Sequence, residues 1–170
     1  MTFDEIIEYL GARDGVLIQQ PCPGDGTPEI AWGDAFFYYA PDGTVPANTQ
    51  PFATLVTKNY PGDARSRLDR TGVFRVNIHA GRELFTTWTG RAPRDPEPDG
   101  TDPAVTDTVI AHPVYGELGW LAVVAPGPAT TETVRELLGV AYDRARARAH
   151  RRSGNRDRPA GLRPQATTGR

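Results

Sequence analysis

At 170 residues the chain has room for a single domain with a substantial core. Its one cysteine, Cys22, excludes an intrachain disulfide, and no apolar run reaches the roughly eighteen residues of a membrane span. No charged-then-apolar leader opens it, so a soluble cytoplasmic protein is expected. The net charge of −2 is unevenly spread, with 9 bases against 17 acids over residues 1–130 and 10 against 4 over residues 131–170.

The first element is predicted by Thr2-x-x-Glu5, a capping box, followed by Phe3, Ile6, Ile7 and Leu10 at helical spacing and a stop at Gly11. VLIQQ at 16–20 reads as a short strand, the Pro/Gly-rich 21–28 as a loop, and the aromatic AWGDAFFYYA at 31–40 as a second strand ended by the turn at 41–43. FATLVTKNY at 52–60 is a third strand and 73–79 a fourth. Leu84, Phe85 and Trp88 predict a brief helix closed by Gly90. Residues 91–107 are acidic and Pro-rich with few apolar side chains, which predicts a mobile loop. The strand at 119–126 precedes a final helix, whose stripe is Val134, Leu137, Leu138, Ala141, Tyr142 and Ala145. Residues 150–170 read as a disordered Arg-rich tail, leaving 1–149 as the domain. Strands joined by short turns, without βαβ alternation, predict an α+β fold with an antiparallel sheet of about five strands and helices on one face.

The strand GVFRVNIHAG at 72–81 raises the functional question, because Phe74, Val76 and Ile78 alternate with Arg75, Asn77 and His79. On a helix-free sheet face, Arg75 with Asn77 suits a carboxylate, a phosphate or a polar amide. The competing reading is scaffold, with Arg75 paired to Asp34 or Asp69. Lys58 is the single lysine among 19 bases, which reads either as a titratable ammonium wanted there or as chance. Thr54, Val56 and Lys58 share one strand face, and Asp34, Phe36 and Tyr38 another. If these faces coincide, Asp34, Tyr38, Lys58, Arg75 and Asn77 converge. His112 and Tyr115, in a loop before Trp120, supply an imidazole and a phenol for proton transfer, or else cap a turn and pack. His79, His112 and His150 have no metal-ligand spacing and the two serines no elbow motif, so no metal, cofactor or nucleophile is expected.

The segments WGDAFFYYAPDG (32–43), PFATLVTKNYPGD (51–63), LDRTGVFRVNI (68–78) and HPVYGELGW (112–120) resemble an actinobacterial family of uncharacterised proteins over residues 1–147. The element order is also similar to the MmcQ/YjbR-like fold, whose resemblance to double-wing proteins implies DNA binding. The leading expectation is a pocket for a small polar or anionic molecule. Asp34, Tyr38, Arg75 and Asn77 would bind it, and Lys58, His112 and Tyr115 would run cofactor-independent isomerase, cyclase or lyase chemistry. The alternatives are a nucleic-acid module, with weak non-specific binding through the tail, and a protein-interaction or self-associating module. On the leading reading, Arg75→Ala and Lys58→Ala leave the fold intact while removing function. Unfolding on Arg75→Ala would instead make the polar row scaffold and move the site to the 112–115 loop.

Overall fold

The computed structural model describes residues 1–98 and 100–156, the side chains of 154–156 excepted. Helix α1 spans Phe3–Gly11, and both halves of the Thr2/Glu5 capping box form. Strands β1 (Val16–Gln19), β2 (Ala35–Tyr39), β3 (Ala53–Val56) and β4 (Arg75–His79) follow. Helix α2 (Gly81–Thr89) ends where Gly90 turns left-handed at φ 70°, as its sequence position predicts. Strands β5 (Val109–Ala111) and β6 (Trp120–Val124) lead to helix α3, Thr131–Arg156. Among the described residues, no helix is long and apolar enough to cross a membrane.

The sheet has six strands in the order β1-β2-β3-β4-β6-β5, and every pair is antiparallel. The expectation of about five strands is corrected by β5, which is too short to announce itself by alternation and is held by pairing with β6. The second and third strands are also shorter than their β-rich segments. A 3-10 turn occupies Glu29–Ala31, and β3 stops at Val56. Helix α3 continues past His150, the expected start of the tail, to Arg156. The remainder of the expected tail lies outside the described residues.

All three helices pack on one sheet face. Ile6 and Leu10, Phe85, and Val134, Leu137, Leu138 and Ala141 meet Phe37, Leu55, Val76, Ile78, Leu121 and Val123 in one buried cluster. At about 1.5–3 kcal/mol per buried large apolar side chain, this face supplies the main folding drive. The opposite face carries the other half of each alternation. One cross-strand row runs Gln19, Phe36, Thr54, Asn77, Ala122, Ile110, and the next runs Val56, Arg75, Val124. The connection between β3 and β4 folds over this second row, with Leu68 packing on Val56 and Val124.

The 91–107 segment holds no helix or strand among its described residues, but its C-terminal end is anchored. Thr106 bridges Val124. The Asp107 carboxylate accepts from the Gly127, Ala129 and Thr130 N–H groups and from the Thr130 hydroxyl. The Thr130 hydroxyl, with those backbone donors, lowers the Asp107 pKa to about 2. Asp107 thus satisfies N–H groups around the first turn of α3 that have no intrahelical acceptor. Asp107→Ala is expected to lower Tm at neutral pH, whereas Asp107→Asn, which keeps one acceptor oxygen, should lower it less. Equal melting of the two variants would show that the carboxylate does not hold this junction.

Candidate functional site

The side chain of Arg75 is only 1% exposed and is the largest of the fully buried side chains. Its five N–H donors all point at partners inside the protein, four of them at oxygen atoms. Nε donates to Asn77 Oδ1 at 2.7 Å. Nη1 donates to Asp63 Oδ1 at 3.0 Å and Ser66 Oγ at 2.8 Å, and Nη2 to Asp63 Oδ2 and to His112 Nε2 at 3.0 Å. The partner carboxylate is Asp63, delivered by the Pro61-Gly62-Asp63 turn of the covering connection. Asp34 and Asp69, the partners considered from sequence, are engaged elsewhere. Burial alone would raise the Asp63 pKa, but the hydrogen bonds and charge of Arg75 outweigh it and hold the carboxyl below its ordinary value.

Asn77 passes the network across the sheet, its Nδ2 donating to Thr54 Oγ1 at 2.9 Å. On the other side, His112 receives more donors than it can accept. The N–H groups of Val114 and Tyr115 reach its Nδ1 at 3.1 Å each, and Arg75 Nη2 reaches its Nε2. Burial, then the Arg75 charge, pushes the His112 pKa down to about 3, so the ring is neutral near pH 7. A neutral imidazole has one lone pair. In either tautomer an N–H group beside His112 therefore lacks its acceptor.

Above this network lies a pocket of about 400 Å³. Thr54, Asn77, Arg75, Asp63 and His112 provide its polar side, while Phe36, Val56, Pro51 and Trp120 provide apolar walls, with Tyr60, Gln50 and Tyr115 around them. Tyr115 is 49% exposed, and its ring lies 4.9 Å from that of His112.

Four of the seven residues singled out from sequence, Arg75, Asn77, His112 and Tyr115, line this pocket, and Asp34, Tyr38 and Lys58 do not. Lys58 misses it because β3 ends at Val56 and strand alternation no longer governs position 58. Its ammonium instead bonds to Trp32 O at 2.6 Å and Asp34 Oδ1 at 3.1 Å. Asp34, whose side chain is fully buried, also accepts from the Thr57 backbone and hydroxyl and from the Tyr60 hydroxyl. These two residues pin the crossing between β2 and the end of β3. They border the pocket only through Tyr60, whose pKa is raised by burial and then by Asp34. Tyr38 lies opposite Leu17, toward the sheet edge. His79 leaves the polar row to meet Arg148 of α3 at 3.4 Å.

Sequence reasoning missed Asp63, Ser66 and Tyr60. The only signal was a polar turn just before a strand bearing a buried Arg, and nothing local ties the two. Among the described residues, no group of three His, Cys, Asp or Glu side chains is arranged to hold a metal ion.

Fold and pocket together define an α+β protein with an open antiparallel sheet, helices on one face and a ligand-sized cleft on the other. The chain belongs to a family of unknown function, DUF6194, whose model matches residues 1–154. No curated protein and no solved structure matches it.

Proposed function

We propose that this protein binds a small polar molecule in the pocket on the helix-free sheet face. The observation that carries the reading is a buried polar network lying beneath a pocket with aromatic and aliphatic walls. Such a site holds a flat or apolar body against Phe36, Val56 and Trp120 and fixes its orientation through few polar contacts. Asp63 neutralises Arg75 and His112 is uncharged, so a neutral molecule or one with a single acceptor group fits better than a multiply charged anion. That acceptor meets the Thr54 hydroxyl and the N–H group left over beside His112.

Proton transfer through Lys58 is dropped from the reading, because its ammonium lies outside the pocket. An imidazole with a pKa near 3 is a poor base at neutral pH. Any isomerase, cyclase or lyase step in this pocket would therefore depend on N–H donors polarising a ligand carbonyl. The double-wing reading, tied to MmcQ/YjbR-like proteins, is less favoured, since the pocket lining holds one guanidinium, that of Arg75, and it is paired with Asp63.

A thermal-shift screen of polar metabolites at pH 7.5 provides the test. Gln50→Ala alters the pocket without touching the buried network, and Tyr115→Ala removes the ring packed beside His112 while keeping the backbone N–H that reaches it. Each is expected to weaken the binding of a true pocket ligand about tenfold, roughly 1.4 kcal/mol, with the unliganded Tm unchanged. A hit that binds both variants as tightly as the parent lies elsewhere and defeats the proposal.

A further inference from the structure

The second half of α3 carries Arg144, Arg148 and Arg152 at four-residue spacing, which places them along one helix face over about 12 Å. Like charges at this spacing destabilise a helix, each pair by a few tenths of a kcal/mol. The helix dipole rewards bases near the C-terminal end, which accounts for Arg151 and Arg152 but not for Arg144 and Arg148, more than a turn further back. Among the described residues, none of the four is paired with a carboxylate; the ion pair on this part of the helix is Arg146 with Asp143.

These arginines are not a freely solvated row. Arg144 and Arg148 are half-buried. The Nε of Arg144 is buried without a partner, and its guanidinium lies against the backbone of Gly81, where a side chain would collide with it. Arg148 reaches His79 Nδ1 at 3.4 Å, and Arg152 donates to Thr49 Oγ1 at 2.9 Å. Burial, followed by the charges of Arg148 and Arg144, lowers the His79 pKa to about 4, so the ring is neutral near pH 7 and adds no charge of either sign. Arg148 and Arg152 line a cavity of about 540 Å³ between α3 and the β2–β3 loop. Asp42 is the one carboxylate among its lining residues, and it already accepts from the Thr44 N–H. The cleft thus brings the half-buried Arg148 and the exposed Arg152 together with a single carboxylate, while Arg144, one turn back beside Gly81, adds a further unpaired positive charge.

We propose that Arg148 and Arg152 form a binding site for a small phosphoryl anion, in the cleft between α3 and the β2–β3 loop. Guanidinium forks suit phosphoryl oxygens in geometry and charge. Two forks one helical turn apart suit a ligand with more than one phosphoryl group. The site meets the sheet-face pocket at Gln50, which lines both, and does not depend on the reading given to that pocket.

Isothermal titration of the full chain with pyrophosphate, at fixed ionic strength, tests this. Saturable binding is expected. Arg148→Gln should weaken it about tenfold or more, the scale of one lost charge-assisted contact, and Arg146→Gln, on the opposite side of the helix, should leave it within about twofold. If Arg148→Gln does not fold, Arg152→Gln takes its place, since Arg152 is exposed and its loss leaves no buried gap. The His79 ring resonances should move on titration in the parent protein. Absence of saturable binding overturns the proposal, as does equal weakening by Arg146→Gln, which would indicate diffuse charge. Tighter binding of duplex DNA than of pyrophosphate, with affinity falling steeply with salt, would assign the arginines to nucleic acid instead.

Discussion

Arg75→Ala is expected to destabilise the protein by about 3–5 kcal/mol, the usual cost of breaking a buried ion pair from one side. The loss leaves the Asp63 carboxylate, the Ser66 hydroxyl, Asn77 Oδ1 and a ring nitrogen of His112 without their common donor. Arg75→Lys should recover only part of this, because one ammonium cannot reproduce a two-pronged contact with Asp63 and also reach three further acceptors. Asp63→Ala should cost a similar amount, since it strands a buried guanidinium. Replacing both, as in Arg75→Met with Asp63→Leu, should cost much less than the two single losses added together. Urea unfolding of the four variants measures this. A loss below about 1 kcal/mol for Arg75→Ala would mean that the pair is dispensable, and the original expectation of Arg75 as a ligand donor on an intact fold would return.

Lowering the pH from 6.5 toward 4 is expected to remove stability steadily. An unfolded imidazole takes up its proton near the ordinary value of 6.5, whereas folding holds His112 to about 3 and His79 to about 4. The causes are burial first, then guanidinium charge: Arg75 beside His112, and Arg148 with Arg144 beside His79. Between these limits the unfolded chain binds more protons than the folded one, so stability present above pH 6.5 is lost as pH falls. Each histidine contributes roughly 1.4 kcal/mol per pH unit across its window. The depressed pKa values of Asp63 and Asp107 add their share only below the ordinary carboxylate value of 3.8. Unfolding free energies at pH 7.5, 6, 5 and 4.5 give the slope, and His112→Gln should reduce it by about half. A flat profile across this range would show that neither imidazole is held neutral by the fold.

Much of the architecture was legible in the residues themselves. The Thr2/Glu5 box, the Gly90 stop, the apolar stripe of α3 and the alternation through β4 are products of short-range chemistry, which neighbouring residues specify by capping groups and periodicity. Alternation also correctly assigned Val76 and Ile78 to the helix-covered face and Arg75 and Asn77 to the other. It could not say what would meet them there. Asp63 comes to Arg75 from a turn twelve residues away, His112 from the far side of β6, and both depend on the strand order and the path of the connecting loops. Lys58 is lost to the site because β3 stops two residues early to satisfy buried Asp34 through Thr57. Strand β5 exists only because β6 offers it an edge, and α3 outruns its apolar stripe while Tyr39 and Thr49 contact its last turns. The sequence alone thus determined which way a polar side chain within a strand faces, as at Arg75 and Asn77, since backbone periodicity is local, though not at His79 or at Lys58 beyond the end of β3. Only the tertiary structure decided whether that side chain meets protein, solvent or an open pocket, since its partners are brought in from distant parts of the chain.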